Sequence, residues 1–254
     1  MNRLQRDDGV ALAYQVHNPQ GSGVPLLLTH GFGATAGMWG PNIDALSADR
    51  PVIVWDQRGH GSSDAPDDLD RYSEQISVAD MAAILDAAGA DRAVVGGMSL
   101  GGYLSLAFHL AHPQRVAALV LVDTGPGFRN DEAREKWNAW VERRAQNLER
   151  GETPADMSAE LAQAVHEHPE GLPRAARRVM AQKDARVISS LDSITVPTLV
   201  VVDADDTDFL AGAEYMDRKI PNSRKVVIEN AGHAANMDQP EAFNTAVREL
   251  LEQL

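Results

Sequence analysis

The sequence predicts an α/β fold: a mostly parallel central sheet of about eight strands flanked by helices, with a small helical cap inserted late in the chain. Short runs rich in Val, Leu and Ile recur at 26–29, 52–55, 93–96, 118–122, 198–202 and 225–228. They are continuous rather than alternating, as strands buried on both faces are. Helical stretches stand between them, and strand–helix–strand repetition marks a parallel sheet.

The chain opens with two short segments, 4–6 and 11–16, on either side of Asp8-Gly9. Asp-Gly is a strong hairpin signal, so an antiparallel pair is expected at the sheet edge. Helices are expected at 77–88, where Val78, Met81, Ala82 and Leu85 share a face, at 99–112 directly after a strand, and at 240–254. From 127 to 190 the strand pattern stops. Trp137, Trp140, Val141, Ala145 and Leu148 mark one helical segment there. Met157, Leu161 and Val165 mark a second, and Ala176, Val179 and Met180 a third, with Pro169 and Pro173 as punctuation. The expected division is a core of residues 1–126 and 191–254, with a cap of residues 127–190 inserted after the sixth strand.

The length of 254 residues suits one such domain. A formal net charge of −14 disfavours nucleic acid and anionic membranes as partners. The absence of cysteine excludes disulfides, thiolate metal sites and cysteine nucleophiles together. Residues 1–14 are too polar for a signal peptide, and no apolar run approaches the roughly 18 residues of a membrane span. The expectation is a cytoplasmic monomer or homodimer acting on a small-molecule ester, with no metal and no organic cofactor.

Gly97-Met98-Ser99-Leu100-Gly101 matches G-x-S-x-G between a strand and a helix, the context that makes the motif meaningful. The turn is so tight that positions 97, 101 and 102 must lack bulk, and all three are glycine. Such a turn lifts the serine oxygen clear of the sheet at the positive end of a helix. Without that context, the motif is a glycine-rich turn with an incidental serine. A serine hydroxyl needs a base. Of eight histidines, His233 follows Gly232 in a loop between the last strand and the final helix. Chain order in this kind of site runs Ser, acid, His, which favours it. The acid belongs after the strand at 198–202, where Asp203, Asp205, Asp206 and Asp208 all stand, with Asp123 after the preceding strand as a further choice. Its task is to hold the imidazole tautomer and stabilise the imidazolium.

His30 precedes Gly31-Phe32-Gly33 after the first parallel strand, and this loop can present a backbone N–H to a carbonyl oxygen. Phe32 and Leu100 are the expected oxyanion donors. His30 itself reads as a loop-shaping residue. His17, His109, His112, His166 and His168 read as surface or packing residues. Trp39, Met98, Trp137 and Trp140, with Phe32, are candidates to line an apolar substrate pocket, although the two cap tryptophans suit docking of the cap equally.

These residues together resemble the α/β-hydrolase superfamily, in its small carboxylesterase, enol-lactonase and C–C hydrolase-like branch. His30-Gly31-Phe32-Gly33 resembles the oxyanion loop, and Asp56-Gln57-Arg58-Gly59-His60-Gly61-Ser62-Ser63 the mainly structural turn after the next strand. Gly97 to Gly102 resembles the nucleophile elbow, and Ala231-Gly232-His233, with Pro240 beyond, the histidine loop. The family's acid loop, G-x-x-D, laid on Asp203-Ala204-Asp205-Asp206 points to Asp206, although Asp203 stands where the family has glycine. The resemblance implies Ser99, Asp206 and His233 as a triad cleaving carboxylic esters. Lactones, enol-lactones and C–C bonds are alternative targets. Serine at 99 disfavours relatives with an aspartate nucleophile.

Two other classes compete. Gly31-Phe32-Gly33-Ala34-Thr35-Ala36 also fits a dinucleotide-binding turn, with Asp56 at the distance of a ribose contact. A weakly catalytic small-molecule receptor could use the same fold, since fold does not fix function.

Overall fold

In the computed structural model, residues 1–152 and 158–254 are described. Met157, expected to start the second cap segment, lies outside them.

The strands are β1 (Asn2–Gln5), β2 (Ala11–His17), β3 (Leu26–Thr29), β4 (Val52–Trp55), β5 (Ala93–Met98), β6 (Val116–Val122), β7 (Thr198–Asp203) and β8 (Ser223–Ile228). They form one eight-stranded sheet in the order β1-β2-β4-β3-β5-β6-β7-β8. β2 runs antiparallel to β1 and β4, and every later pairing is parallel. The hairpin turns at Gly9, which takes φ +85°, a region glycine enters without a Cβ penalty. β3, β4, β5, β6 and β7 are buried along their whole length, which is why their sequences are mostly apolar, with Thr29, Thr198 and Asp203 at strand ends.

The helices are α1 (Gly40–Leu46), α2 (Glu74–Ala87), α3 (Leu100–Ala111), α4 (Asp131–Glu149), α5 (Ala159–Ala162), α6 (Gly171–Ala175), α7 (Arg186–Ser189), α8 (Thr207–Lys219), α9 (Ala235–Asp238) and α10 (Pro240–Leu251). Ser73 caps α2 by accepting from the Ile76 N–H at 3.0 Å, and Asn130 caps α4 by accepting from Ala133 at 3.0 Å. One face of the sheet packs on α2, α3 and α8 through Met81, Leu104, Phe108 and Met216. The other packs on α1 and α10 through Leu46, Phe243 and Val247. Two layers of helix thus bury both faces of the sheet.

Between β6 and β7 every described regular element is a helix or helical turn, joined by loops. The helical segments differ in detail from those expected. The second segment is only the four residues of α5, and Val165 beyond it is 78% exposed, so it joins no apolar face. Pro173 lies inside the first turn of α6, where a missing N–H costs nothing, instead of separating helices. The third segment, Ala176–Met180, is a single π-type turn continuing α6.

The turn after β4 is anchored by charge. Buried Arg58 binds Asp80 of α2 at 2.5 Å and also pairs with Asp8. Asp56 accepts from Ala36 N–H at 2.7 Å and Ser62 N–H at 2.9 Å. Its carboxylate is therefore committed to two loops. A 3₁₀ turn at Ala36–Trp39 and then the seven-residue α1 follow the Gly31–Ala36 turn, where a dinucleotide site needs a helix opening directly on the glycines.

Candidate active site

The parallel strands bring Ser99, His233, Asp206 and the Gly31–Gly33 loop to the carboxyl end of the sheet, where open α/β sheets bind ligands. Ser99 occupies the cap position between β5 and α3 with φ +51° and ψ −116°, a strained conformation for a residue with a side chain. Its surroundings explain the glycines. A Cβ at Gly101 would lie 2.1 Å from the Thr29 carbonyl oxygen, and one at Gly97 2.5 Å from the Gly101 carbonyl carbon. At Gly102 it would meet Thr124 at 2.5 Å. The Ser99 N–H donates to Val122 O at 2.9 Å, and the Thr124 hydroxyl donates to Ser99 O at 2.6 Å. The elbow is thus held by β6 and the loop after it, while the serine side of the turn is left partly exposed.

His233 sits in the loop between β8 and α9. Its Nδ1 lies 2.6 Å from Asp206 Oδ2, and its ring stacks on Phe209, with centroids 5.0 Å apart. A carboxylate only accepts, so Nδ1 carries the hydrogen and Nε2 is the nitrogen available as a base. Burial lowers the proton affinity of His233, but the hydrogen bond and charge of Asp206 outweigh it, helped by Asp123 and Glu160, and the net shift is upward.

Of the four acidic candidates after β7, Asp205 and Asp208 are exposed, and Asp203 and Asp206 are buried. Asp206 bonds His233, whereas Asp203 lies at zero exposure beside Asp123. Asp123, also at zero exposure, has φ +43° and accepts from the Asp203 N–H at 2.8 Å through Oδ1. It is thus turned to the β7 backbone, away from a hydrogen bond with the imidazole. Burial pushes the Asp123 and Asp203 carboxyls upward, and their proximity adds to the shift at Asp203.

In the loop after β3, Gly33 takes φ +78° and His30 braces the turn. Its Nδ1 donates to Gly31 O at 2.7 Å, and its Nε2 accepts from Gln57 N–H at 3.0 Å. The loop-shaping reading of His30 agrees with both bonds. Leu100 is the first residue of α3, so its N–H has no intrahelical acceptor. The Phe32 N–H makes no hydrogen bond among the described residues. Two donors are therefore unspent beside the elbow.

The candidate pocket residues divide. Trp39 is fully buried and packs on Phe243 with centroids 6.1 Å apart, so it belongs to the core rather than to a substrate surface. Met98 is buried under the oxyanion loop, its sulfur 2.8 Å from where a Cβ at Gly31 would stand. Trp137 donates its indole N–H to Met180 O at 3.0 Å and packs between Phe128 and Trp140, which docks α4 on the π-type turn. Trp140 is 38% exposed, and the Arg144 guanidinium lies 5.5 Å from both its ring and that of Phe32. Of the four, Trp140 is thereby linked through Arg144 to the oxyanion loop.

Three residues near the site had no sequence signal. Arg144 is one. Glu160, 4% exposed, takes the Ser158 hydroxyl on Oε1, and its Oε2 has no hydrogen-bond partner among the described residues. His166, read from sequence as a surface or packing residue, hydrogen-bonds two core loops through its two ring nitrogens. No group of acidic or histidine side chains among the described residues has the geometry to hold a metal ion. No described helix is long and apolar enough to cross a membrane.

Comparison with known proteins agrees with this architecture. Residues 26–246 match the model of the alpha/beta hydrolase family. A protein of Azorhizobium caulinodans with the provisional name carbamate hydrolase RutD is 33% identical over 92% of each chain. A Bacillus subtilis protein provisionally named 2-succinyl-6-hydroxy-2,4-cyclohexadiene-1-carboxylate synthase is 28% identical over 96% of each. The thermophilic esterase of Thermogutta terrifontis superposes with a TM-score of 0.81 at 30% identity, over 100% of this chain and 99% of that one. With its sheet order, its serine elbow and a match across most of its length, this chain belongs to the alpha/beta hydrolase family.

Proposed function

We propose that the chain is a serine hydrolase that cleaves carboxylic esters of small to medium apolar acyl compounds. The observation that carries this reading is the 2.6 Å bond between His233 and Asp206, at the same end of the sheet as the strained Ser99 elbow. His233 Nε2 takes the Ser99 proton as the oxygen attacks the substrate carbonyl. The negative charge that develops rests on the N–H groups of Phe32 and Leu100, each worth roughly 3 kcal/mol of barrier in sites of this type. His233 then gives the proton to the departing alcohol. Water, deprotonated by the same nitrogen, cleaves the acyl-enzyme, releasing the acid and restoring Ser99. None of these steps calls for a metal or an organic cofactor. Residues 127–190 act as a cap over this machinery, with Trp140 joined through Arg144 to Phe32.

A second reading is favoured by the relative that carries the carbamate hydrolase name. A carbamate presents the same carbonyl to the same serine, with nitrogen in place of the acyl carbon of an ester. One experiment addresses both. Hydrolysis of p-nitrophenyl esters from acetate to decanoate, and of a p-nitrophenyl carbamate, is compared for wild type and Ser99→Ala. Ester turnover that the variant loses supports the first reading, and carbamate turnover in preference to every ester supports the second. Full activity in Ser99→Ala rejects both.

A further inference from the structure

His166 lies between α5 and α6, yet it belongs to the core as much as to the cap. Its Nδ1 is 2.9 Å from the Gly61 nitrogen, and its Nε2 is 3.0 Å from the Gly33 carbonyl oxygen. An amide nitrogen donates and a carbonyl accepts, so the two partners together dictate the neutral Nε2–H form of the ring. The next residue closes a second bond on the same loop, Glu167 N–H to Gly61 O at 2.9 Å. Leu161 of α5 presses on the same turn, its Cδ2 only 2.9 Å from where a Cβ at Gly33 would stand.

The turn so clamped is the one that carries the Phe32 N–H. On its inner side His30 donates to Gly31 O, the carbonyl of the peptide unit that contains that N–H. On its outer side His166 donates to Gly33 O. The two carbonyls flanking Phe32 are therefore each held by an imidazole, one from the core and one from the cap. The rings are linked through His60, which is 5.0 Å from His30 and 5.9 Å from His166 by centroid. The titratable groups that act on the ring are Asp56, His30 and His60 of the core, and Glu167, His168 and Glu170 follow it in sequence. Burial lowers the proton affinity of His166 below the usual imidazole range, against the opposing pull of Gly33 O and Asp56, which suits the neutral form.

We infer that His166, in its neutral Nε2–H form, is a positioning residue that sets the Phe32 oxyanion donor by tying the Gly31–Gly33 turn to the cap. The inference rests on the serine-hydrolase reading. It adds that the oxyanion hole of this chain is completed from the cap, so cap placement and transition-state stabilisation are coupled. Small displacements of a catalytic donor cost rate steeply, which gives the bond to Gly33 a kinetic signature.

Glutamine and asparagine divide the two bonds of the ring. The Gln amide nitrogen reaches about the place of Nε2 and can still donate to Gly33. The Asn amide oxygen reaches about the place of Nδ1 and can accept from Gly61 but cannot reach Gly33. The test is the rate at which a p-nitrophenyl phosphonate modifies Ser99, a reaction whose phosphoryl oxygen uses the same donors, together with kcat and KM for the best ester. His166→Gln is expected within about threefold of wild type, and His166→Asn and His166→Ala slower by about tenfold or more, in kcat and not in KM. Asn reacting as fast as wild type, or Gln as slow as Ala, overturns the inference. So does a loss confined to KM. The ¹⁵N shifts of the wild-type imidazole provide a check that needs no variant: a Nδ1–H tautomer at neutral pH overturns it. A wild type inert to the phosphonate rejects the serine-hydrolase reading itself, and this inference with it. A reactive wild type with an equally reactive Asn variant rejects the inference alone.

Discussion

His233 Nδ1 and Asp206 Oδ2 stand 2.6 Å apart, joining the loop after β8 to the start of α8. The bond puts the imidazole hydrogen on Nδ1 and leaves Nε2 as the nitrogen with a lone pair, and it raises the affinity of that imidazole for a proton. Asp206→Asn separates these effects. The amide keeps the shape but can favour the wrong tautomer, a change that lowers kcat by about 10⁴ in the serine proteases where it has been studied. The sign for pH follows from charge. Only neutral His233 can accept the serine proton, and the carboxylate favours the charged form. Removing it lowers the pKa, so the acid limb of kcat/KM moves to lower pH while the plateau falls. A pH profile of the variant with an activated ester checks both; a limb that stays in place with full kcat shows that Asp206 is not the orienting acid.

The parts of the fold visible in sequence are those whose signal is local. β3 and β4 appear at their observed bounds because burial on both faces leaves a run with no polar interruption. α8 does not appear, because only Ala213 and Met216 of its thirteen residues are buried and an acidic loop precedes it. α1 begins Gly40-Pro41, which reads as a turn. The elbow was legible since its steric demand falls on neighbours in sequence. The pairing of His233 with Asp206 rather than Asp123 was pointed to by the family resemblance alone, because it depends on where the ends of β6 and β7 meet. The place of Trp39 likewise depends on a distant element, since its partner Phe243 lies on α10. His166 meets Gly61 and Gly33 across 105 and 133 residues, in a segment without periodicity, and nothing nearby in the chain marks it.

The glycine contacts predict opposite signs for two Ala substitutions. At Gly101 the new Cβ would stand 2.1 Å from the Thr29 oxygen, so the backbone of the elbow or of β3 must move. Gly101→Ala is expected to destabilise by about 1–3 kcal/mol, as overpacking does, and to remove activity by displacing Ser99 and the Leu100 N–H. Gly212 lies inside α8, where a Cβ would meet Gly125 and Thr124 at an ordinary 3.5 Å. Gly212→Ala should stabilise by up to about 1 kcal/mol through helix propensity. Thermal melts of both variants decide; a destabilised Gly212→Ala shows that the α8 contact with residues 124–125 is tighter than it looks.

Two buried carboxyls lie behind the His233–Asp206 pair. Asp123 and Asp203 both lie at zero exposure, and neither oxygen of Asp203 has a hydrogen-bond partner among the described residues. Burial and mutual repulsion raise the Asp203 pKa above that of an unfolded aspartate, near about 3.9. Above that value the unfolded chain has released a proton that the folded chain retains, so the folded state binds more protons and stability declines with rising pH. The decline continues until pH passes the raised folded value. Asparagine in place of Asp203 has the shape of the neutral acid and no charge to bury, and its NH₂ can donate to Asp123. Asp203→Asn should therefore match wild type near pH 4 and gain on it as pH rises, by about 2–4 °C for each kcal/mol recovered in a chain of this size. Melting temperatures of both proteins from pH 4 to pH 9 test this. A difference independent of pH would mean that Asp203 is ionised in the fold across that range, held by a partner that offsets its burial.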